Sequence, residues 1–212
     1  MNRILFGVNA MSQSMPYVPG ATTIGVVYHD GVILASERRV SYGYFVMSKT
    51  AKKVFKITDT VGAAFAGLVS DMQILSREAA AYANIFTYER ERPIGVRAAA
   101  KMVGSLLFQN RMIPYITQTI IGGVDEDGPS LYVLDLLGSV MQDKYATVGS
   151  GTEVAIGVLE DEYKQDMSFD EAKELVGKAF KAALARDAGS GNGVDLLIVS
   201  MSGTKEETMK FD

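Results

Sequence analysis

What this chain lacks narrows the chemistry it can do. Its 212 residues include no cysteine, which removes thiol nucleophiles, disulfides and every cysteine-ligated zinc or iron–sulfur site. A single histidine, His29, rules out a two-histidine metal centre, and a serine–histidine triad would hang on that one ring. His29 lies in a turn beside Asp30-Gly31 and reads as solvent-facing. The 11 methionines are spread along apolar stripes and the first twenty residues, where they read as packing filler and not as metal ligands. Neither a metal nor a cofactor is therefore expected, and catalysis falls to carboxylates, lysines and hydroxyls. Residue by residue, such groups have plain structural readings. Lys53, in a Lys-Lys pair, reads as solvated. Glu37 reads as half of a surface ion pair with Arg38 or Arg39, worth about 0–1 kcal/mol. Asp187 reads as a helix-terminal aspartate, and Ser150 and Ser190 as loop serines.

The elements that must position these residues can be read from periodicity. Residues 1–20 carry two prolines near their end and no regular period, as in an extended leader. A block of β signals follows: Thr22–Tyr28, Val32–Ser36, Val40–Met47, Val54–Thr58 and Val61–Gly67. The period then becomes helical over 70–89, with Met72, Leu75, Ala79, Tyr82, Ala83 and Phe86 at helical spacing. Pro93 suits the first turn of a second helix, and Pro114 ends it. Strands return at Thr117–Gly123 and Leu131–Leu136, and 139–144 completes a meander. A third helix covers about 152–164. The fourth opens on Ser168 and Glu171 in capping-box spacing and places Ala172, Leu175, Val176, Ala179, Phe180 and Ala183 on one stripe. Val194–Met201 is a last buried strand, and the polar tail from Gly203 is expected to fray. Two blocks of strands, each followed by two helices, predict a layered α+β domain with helices outside and sheets within.

Charge and hydropathy narrow the partners. Lys and Arg number 21 against 25 Asp and Glu, a net charge of −4. An acidic chain without a basic tract is a poor nucleic-acid binder. No apolar run reaches the ~18 residues of a membrane span. The stretch Ile4–Val8 is also short for a signal-peptide core of about 7–15 residues. The cytoplasm is the expected compartment.

Several segments together resemble the β subunits of archaeal proteasome core particles. They are Gly20-Ala-Thr-Thr-Ile-Gly25, Asp30-Gly-Val-Ile-Leu-Ala-Ser-Glu-Arg-Arg39, Lys49-Thr-Ala-Lys-Lys53, Ala66-Gly-Leu-Val-Ser-Asp71, Gly149-Ser-Gly151 and Arg186-Asp-Ala-Gly-Ser-Gly191. Each is weak alone; in this order and spacing, from about residue 20 to 201, they are specific. The resemblance implies a four-layer αββα sandwich of the N-terminal-nucleophile hydrolase type, with residues 1–20 as leader and 21–212 as one domain. It further implies a threonine protease whose nucleophile is exposed when the leader is cut off after a glycine. The hydroxyl then attacks a peptide carbonyl, and the freed α-amine, with a reference pKa of ~7.7–8.0, takes the proton.

Carried over by position, the cleavage site is Gly20-Ala21 and the nucleophile position is Ala21, which has no oxygen to attack with. Choosing Thr22 instead would break the register to Lys53 and Asp187 and turn the side chain to the other face of its strand. Lys53 matches the catalytic lysine that lowers the nucleophile's pKa, and Glu37 matches the carboxylate that keeps this lysine charged and oriented. Asp187 and Ser190, with Ser150 beside them, match the residues that position the amine. Gly67 matches the oxyanion N–H donor, and Val40, Ala51, Phe65 and Val69 match an apolar substrate pocket. The implied partners are proteasome α subunits, other β subunits in stacked seven-membered rings, an ATP-dependent unfoldase and unfolded polypeptide substrates. The chain then reads as an inactive precursor. The alternative is a naturally inactive β-type subunit with a structural or assembly role in a mixed ring. Retention of Glu37, Lys53, Ser150, Asp187 and Ser190 favours a replaced nucleophile over long loss of catalytic duty.

Overall fold

A computed structural model describes residues 20–211 of the chain; the expected leader, apart from Gly20, and Asp212 lie outside the described residues. Among the described residues the chain runs β1 (Thr22–Tyr28), β2 (Gly31–Glu37), β3 (Val40–Tyr42), β4 (Phe45–Ser48), β5 (Val54–Lys56) and β6 (Val61–Gly67). It continues through helices α1 (Val69–Arg90) and α2 (Val96–Gln109), then β7 (Thr117–Asp125), β8 (Gly128–Leu134), β9 (Val140–Asp143) and β10 (Tyr145–Gly149). Helices α3 (Thr152–Glu162) and α4 (Phe169–Leu184) precede β11 (Val194–Ser200) and β12 (Gly203–Met209). Two five-stranded sheets form, ordered β10-β1-β2-β11-β12 and β5-β6-β7-β8-β9, and β3-β4 is a separate hairpin.

Three apolar clusters hold four layers together. Phe65, Leu75, Val103, Leu107 and Ile121 join α1 and α2 to the second sheet. Ile24, Ile33, Leu159, Leu175, Phe180 and Ile198 join α3 and α4 to the first. Val32, Leu34, Val54, Ile120, Leu131 and Leu197 fill the space between the sheets. Each such side chain, fully buried, contributes roughly 1.5–3 kcal/mol. This is the layered α+β architecture that the strand and helix order suggests, and the four-layer αββα sandwich that the resemblance implies. The strict alternation of a strand decides what β1 presents to each side. Ile24 and Val26 face the helices, whereas Ala21 and Val27 face the opposing sheet.

The structure departs from the sequence reading in several places. Val40–Met47 is not one strand: it turns at Gly43, whose φ is +57°, and doubles back as β3-β4. The aromatic and β-branched residues on both sides hid a turn marked by one glycine. Helix α2 starts after Gly95, where Asp125 Oδ2 accepts the Val96 N–H at 2.7 Å, and it ends at Gln109, well before Pro114. The meander closes as expected, β9 pairing antiparallel with β8, but the sequence reading has no strand for the residues that follow it. The chain leaves the second sheet after Asp143 and enters the first as β10, without a glycine or proline to mark the crossing. The tail from Gly203 does not fray. It pairs along β11 as the edge strand β12, and its charges are met by Lys52–Glu206 and Lys173–Glu207 ion pairs. Polarity there marks a managed edge.

Candidate active site

The open end of the first sheet gathers hydroxyls and a carboxylate around one backbone nitrogen. β10 pairs with β1, Thr22 opposite Gly149, which brings Ser150 beside residue 21. Ser150 Oγ accepts the Ala21 N–H at 3.0 Å and donates to Asp187 Oδ2 at 2.6 Å. Ser190 Oγ donates to the same Asp187 oxygen, also at 2.6 Å. Because that proton is committed, the 2.8 Å bond between Thr22 and Ser190 must run from the Thr22 hydroxyl to Ser190 Oγ. The loop after α4 thus holds Asp187 and Ser190 over the start of β1. Thr22 is fully buried on the helix side of the sheet, its hydroxyl spent on Ser190, while Ala21 packs into the inter-sheet cluster with Ala66 and Val148. A hydroxyl on residue 21 would therefore face the layer opposite to that of Thr22. That arrangement is the physical counterpart of the register argument.

Lys53 and Glu37 are not surface residues: their side chains are 2% and 0% exposed. Lys53 Nζ donates to Glu37 Oε1 and, at 2.6 Å, to the Arg39 carbonyl. The other Glu37 oxygen accepts backbone N–H groups from Arg39 at 2.6 Å and Gly191 at 3.1 Å. Burial pushes Lys53 below the usual lysine range, opposed by the charge and hydrogen bond of Glu37 and by the charge of Asp187. Burial likewise pushes Glu37 above the usual carboxylate range, opposed by Lys53 and the two N–H donors. The reading of Lys53 as solvated, and of Glu37 as paired with an arginine side chain, is corrected here. Arg38 instead leans on Asp195 at 3.4 Å.

Gly67 ends β6 with φ at +141°, a conformation that side chains avoid, and a Cβ there would run into the Ile116 carbonyl. Phe65 and Leu68 give their N–H groups to Lys53 O and Ile116 O, on opposite sides of the strand. By alternation, Gly67 aims its N–H to the Lys53 side, past the start of β5. Around it, Phe65 is buried and meets Phe55 edge to face beneath α1, at 5.7 Å between centroids. Val40 is buried, Ala51 and Val69 are half-buried, and all four side chains are uncharged. His29 is exposed beside Asp30.

Two participants were missed by sequence reasoning. Arg39 gives its N–H to Glu37 and its carbonyl to Lys53, and its guanidinium clamps the Asp187 loop through Ala188 O and Asn192 Oδ1, both at 2.9 Å. Gln118 Oε1 accepts the Gly149 N–H at 2.9 Å, bracing the turn that carries Ser150. Backbone groups do most of the Arg39 work, so residue type alone could not reveal it.

The family model for proteasome subunits matches residues 18–199. The chain belongs to the proteasome subunit family. It is 48% identical over 192 residues to proteasome subunit beta 1 of Nitrosopumilus maritimus, covering 91% of this chain and 96% of that protein. With proteasome subunit beta 2 of Caldivirga maquilingensis it shares 44% identity over 201 residues, 95% of this chain and all of that protein. Proteasome subunit beta 2 of Thermofilum pendens is 45% identical over 194 residues, 92% of this chain and 95% of that protein. Likeness to archaeal proteasome β subunits thus covers nearly the whole chain, and that family implies a threonine protease.

Proposed function

We propose that this chain is a β subunit of the proteasome core particle whose own catalytic centre lacks only its nucleophilic oxygen. The observation that carries the reading is the seat of the residue-21 nitrogen. Ser150, Asp187 and Ser190 form a charge-assisted cradle around it, and the buried Lys53–Glu37 pair lies close enough for Asp187 to act on the lysine's charge. Such a cradle has a use if residue 21 supplies both hydroxyl and base. Ala21 supplies only the nitrogen, and that nitrogen stays acylated by Gly20. In a competent form the hydroxyl would attack the Gly20 carbonyl carbon. An O–C bond forms as the C–N bond breaks, and the proton ends on the freed amine. Water then splits the ester, releasing the leader as a carboxylic acid and restoring the hydroxyl. Lys53 would favour the alkoxide, and the Gly67 N–H would meet the developing oxyanion.

Assembly with α subunits and further β subunits in stacked rings is part of the same reading. Several large apolar side chains support it by standing exposed: Tyr44 and Phe45 at the β3-β4 hairpin, Tyr88 on α1, and Met112 and Ile113 beyond α2. Enclosure would confine cleavage to unfolded polypeptide delivered by an ATP-dependent unfoldase in the cytoplasm. Among the described residues no helix is long and apolar enough to cross a membrane. The test is Ala21→Thr in the full chain, assembled with α subunits. Intact mass should show loss of residues 1–20, and peptide hydrolysis should appear. An Ala21→Thr particle that assembles, keeps its leader and stays inert would refute the reading and favour a purely structural β-type subunit.

A further inference from the structure

Where the expected leader meets the domain, two glycines touch backbone to backbone. A Cβ placed on Gly189 would lie 2.6 Å from Gly20 Cα, and its next neighbours, Asp187 Oδ1 and Ser150 Oγ, would both be 3.3 Å away. A Cβ on Gly20 would in turn meet Gly189 Cα at 2.5 Å and the Gly189 carbonyl carbon at 3.0 Å. The two contacts on Gly189 differ in kind. The first is with main chain, which cannot swing aside. The others are with side-chain oxygens a few tenths of an ångström too close, which can relax. Gly189 is not among the glycines with positive φ, so its backbone would accept alanine. The N–H that it gives Asp187 Oδ1 at 3.0 Å would survive the change. The one severe obstacle to a side chain at 189 is therefore Gly20, and Gly20 departs if the bond to residue 21 is cut.

We infer that Gly189 is a positioning residue for leader release: its missing side chain is the space in which Gly20 lies while its carbonyl is held against residue 21. The inference rests on the reading of residue 21 as the nucleophile position. It assigns Gly189 to the precursor alone. A methyl group at 189 displaces the Gly20 backbone by close to an ångström, and a shift of that size in a reacting carbonyl costs on the order of 10²-fold in rate. The mature site, with Gly20 gone, has room for it.

The experiment crosses Gly189→Ala with the presence of the leader, and its activity arms carry Ala21→Thr and α subunits. Among the described residues every strand and helix lies within 22–209, so a chain beginning at residue 21 keeps all of them. In the full chain, Gly189→Ala should slow leader release, followed by intact mass, at least tenfold. In the chain beginning at residue 21, it should change peptide turnover less than threefold. Thermal unfolding of the uncut Ala21 form guards against a folding defect: Gly189→Ala should lower the midpoint with the leader and leave it unmoved without. Leader release at the parental rate would overturn the inference, as would an equal loss of turnover or midpoint with and without the leader. If Ala21→Thr alone never sheds its leader, the assignment of residue 21 fails first, and that control separates the two failures.

Discussion

Replacing Lys53 with methionine tests the most exposed claim about this site, that a charged pair is held away from water. Methionine matches the length of the lysine stem, so little packing is lost. What remains is a Glu37 carboxylate with 0% exposure, facing two backbone N–H groups and no cation. Removing one partner of a buried pair costs about 3–5 kcal/mol. For a domain of this size each kcal/mol moves the midpoint by about 2–4 °C, so Lys53→Met should lower it by roughly 6–20 °C at pH 7. The sign of the pH dependence follows from Glu37, whose folded pKa already stands above its ordinary 4.5. Loss of Lys53 removes the largest opposing influences and raises it further. The folded variant then holds a proton more tightly than the unfolded chain. Its deficit is small near pH 4.5, grows as pH rises towards the folded pKa, and is constant above it. Urea unfolding at pH 7 and pH 5 should show the deficit shrinking on acidification. Adding Glu37→Leu should recover most of it at pH 7, because an apolar pair of similar volume needs no counter-charge. A loss under about 1 kcal/mol at pH 7, the figure typical of exposed pairs, would refute the argument. So would a deficit that is the same at both pH values.

Two further outcomes concern a form made active by Ala21→Thr. Glu37 raises the Lys53 pKa by charge and hydrogen bond against the lowering by burial, so Glu37→Gln should move the alkaline limb of the kcat/KM profile to lower pH; an unmoved limb would mean that Lys53 does not govern it. Val40, Ala51, Phe65 and Val69 offer no counter-ion, and an unpaired charge is costly to bury, so a fluorogenic peptide panel should favour apolar residues before the cut. Faster turnover after arginine or glutamate would remove these four residues from the pocket.

The parts legible in the sequence are those set by local rules. The α4 stripe of Ala172, Leu175, Val176, Ala179, Phe180 and Ala183 is buried, and its Ser168–Glu171 capping box forms with both reciprocal bonds. Strand β6 runs over Val61–Gly67, as its apolar run suggests. What escaped depends on distant pairing. Lys53 next to Lys52 reads as solvated because nothing nearby announces Glu37 below it. Lys52 does stay outside, on Glu206 of the edge strand. The burial of Glu37 comes from the β2–β11 register, which sets it against Val194 and beside the Gly191 N–H. That contact spans 154 positions. The resemblance could point to the residues, but only the fold says which atoms meet.

One carboxylate joins the two halves of the site. Glu37 Oε1 takes the lysine, while Oε2 takes the amides of Arg39 and Gly191, and Gly191 follows directly after Ser190 of the amine cradle. Arg39 closes the loop from the other side, since its carbonyl holds Lys53 and its guanidinium holds the Ala188–Asn192 segment. Every partner in this circuit is main chain, another member, or a loop amide, and none is the side chain of residue 21. The framework therefore keeps its shape with alanine at that position, with its hydrogen bonds already made and its charges already paired. Preorganised polar groups of this kind need no rearrangement when charge develops beside them. That is the physical reason why one added oxygen atom, with no second substitution, is expected to decide between an inert chain and a working one.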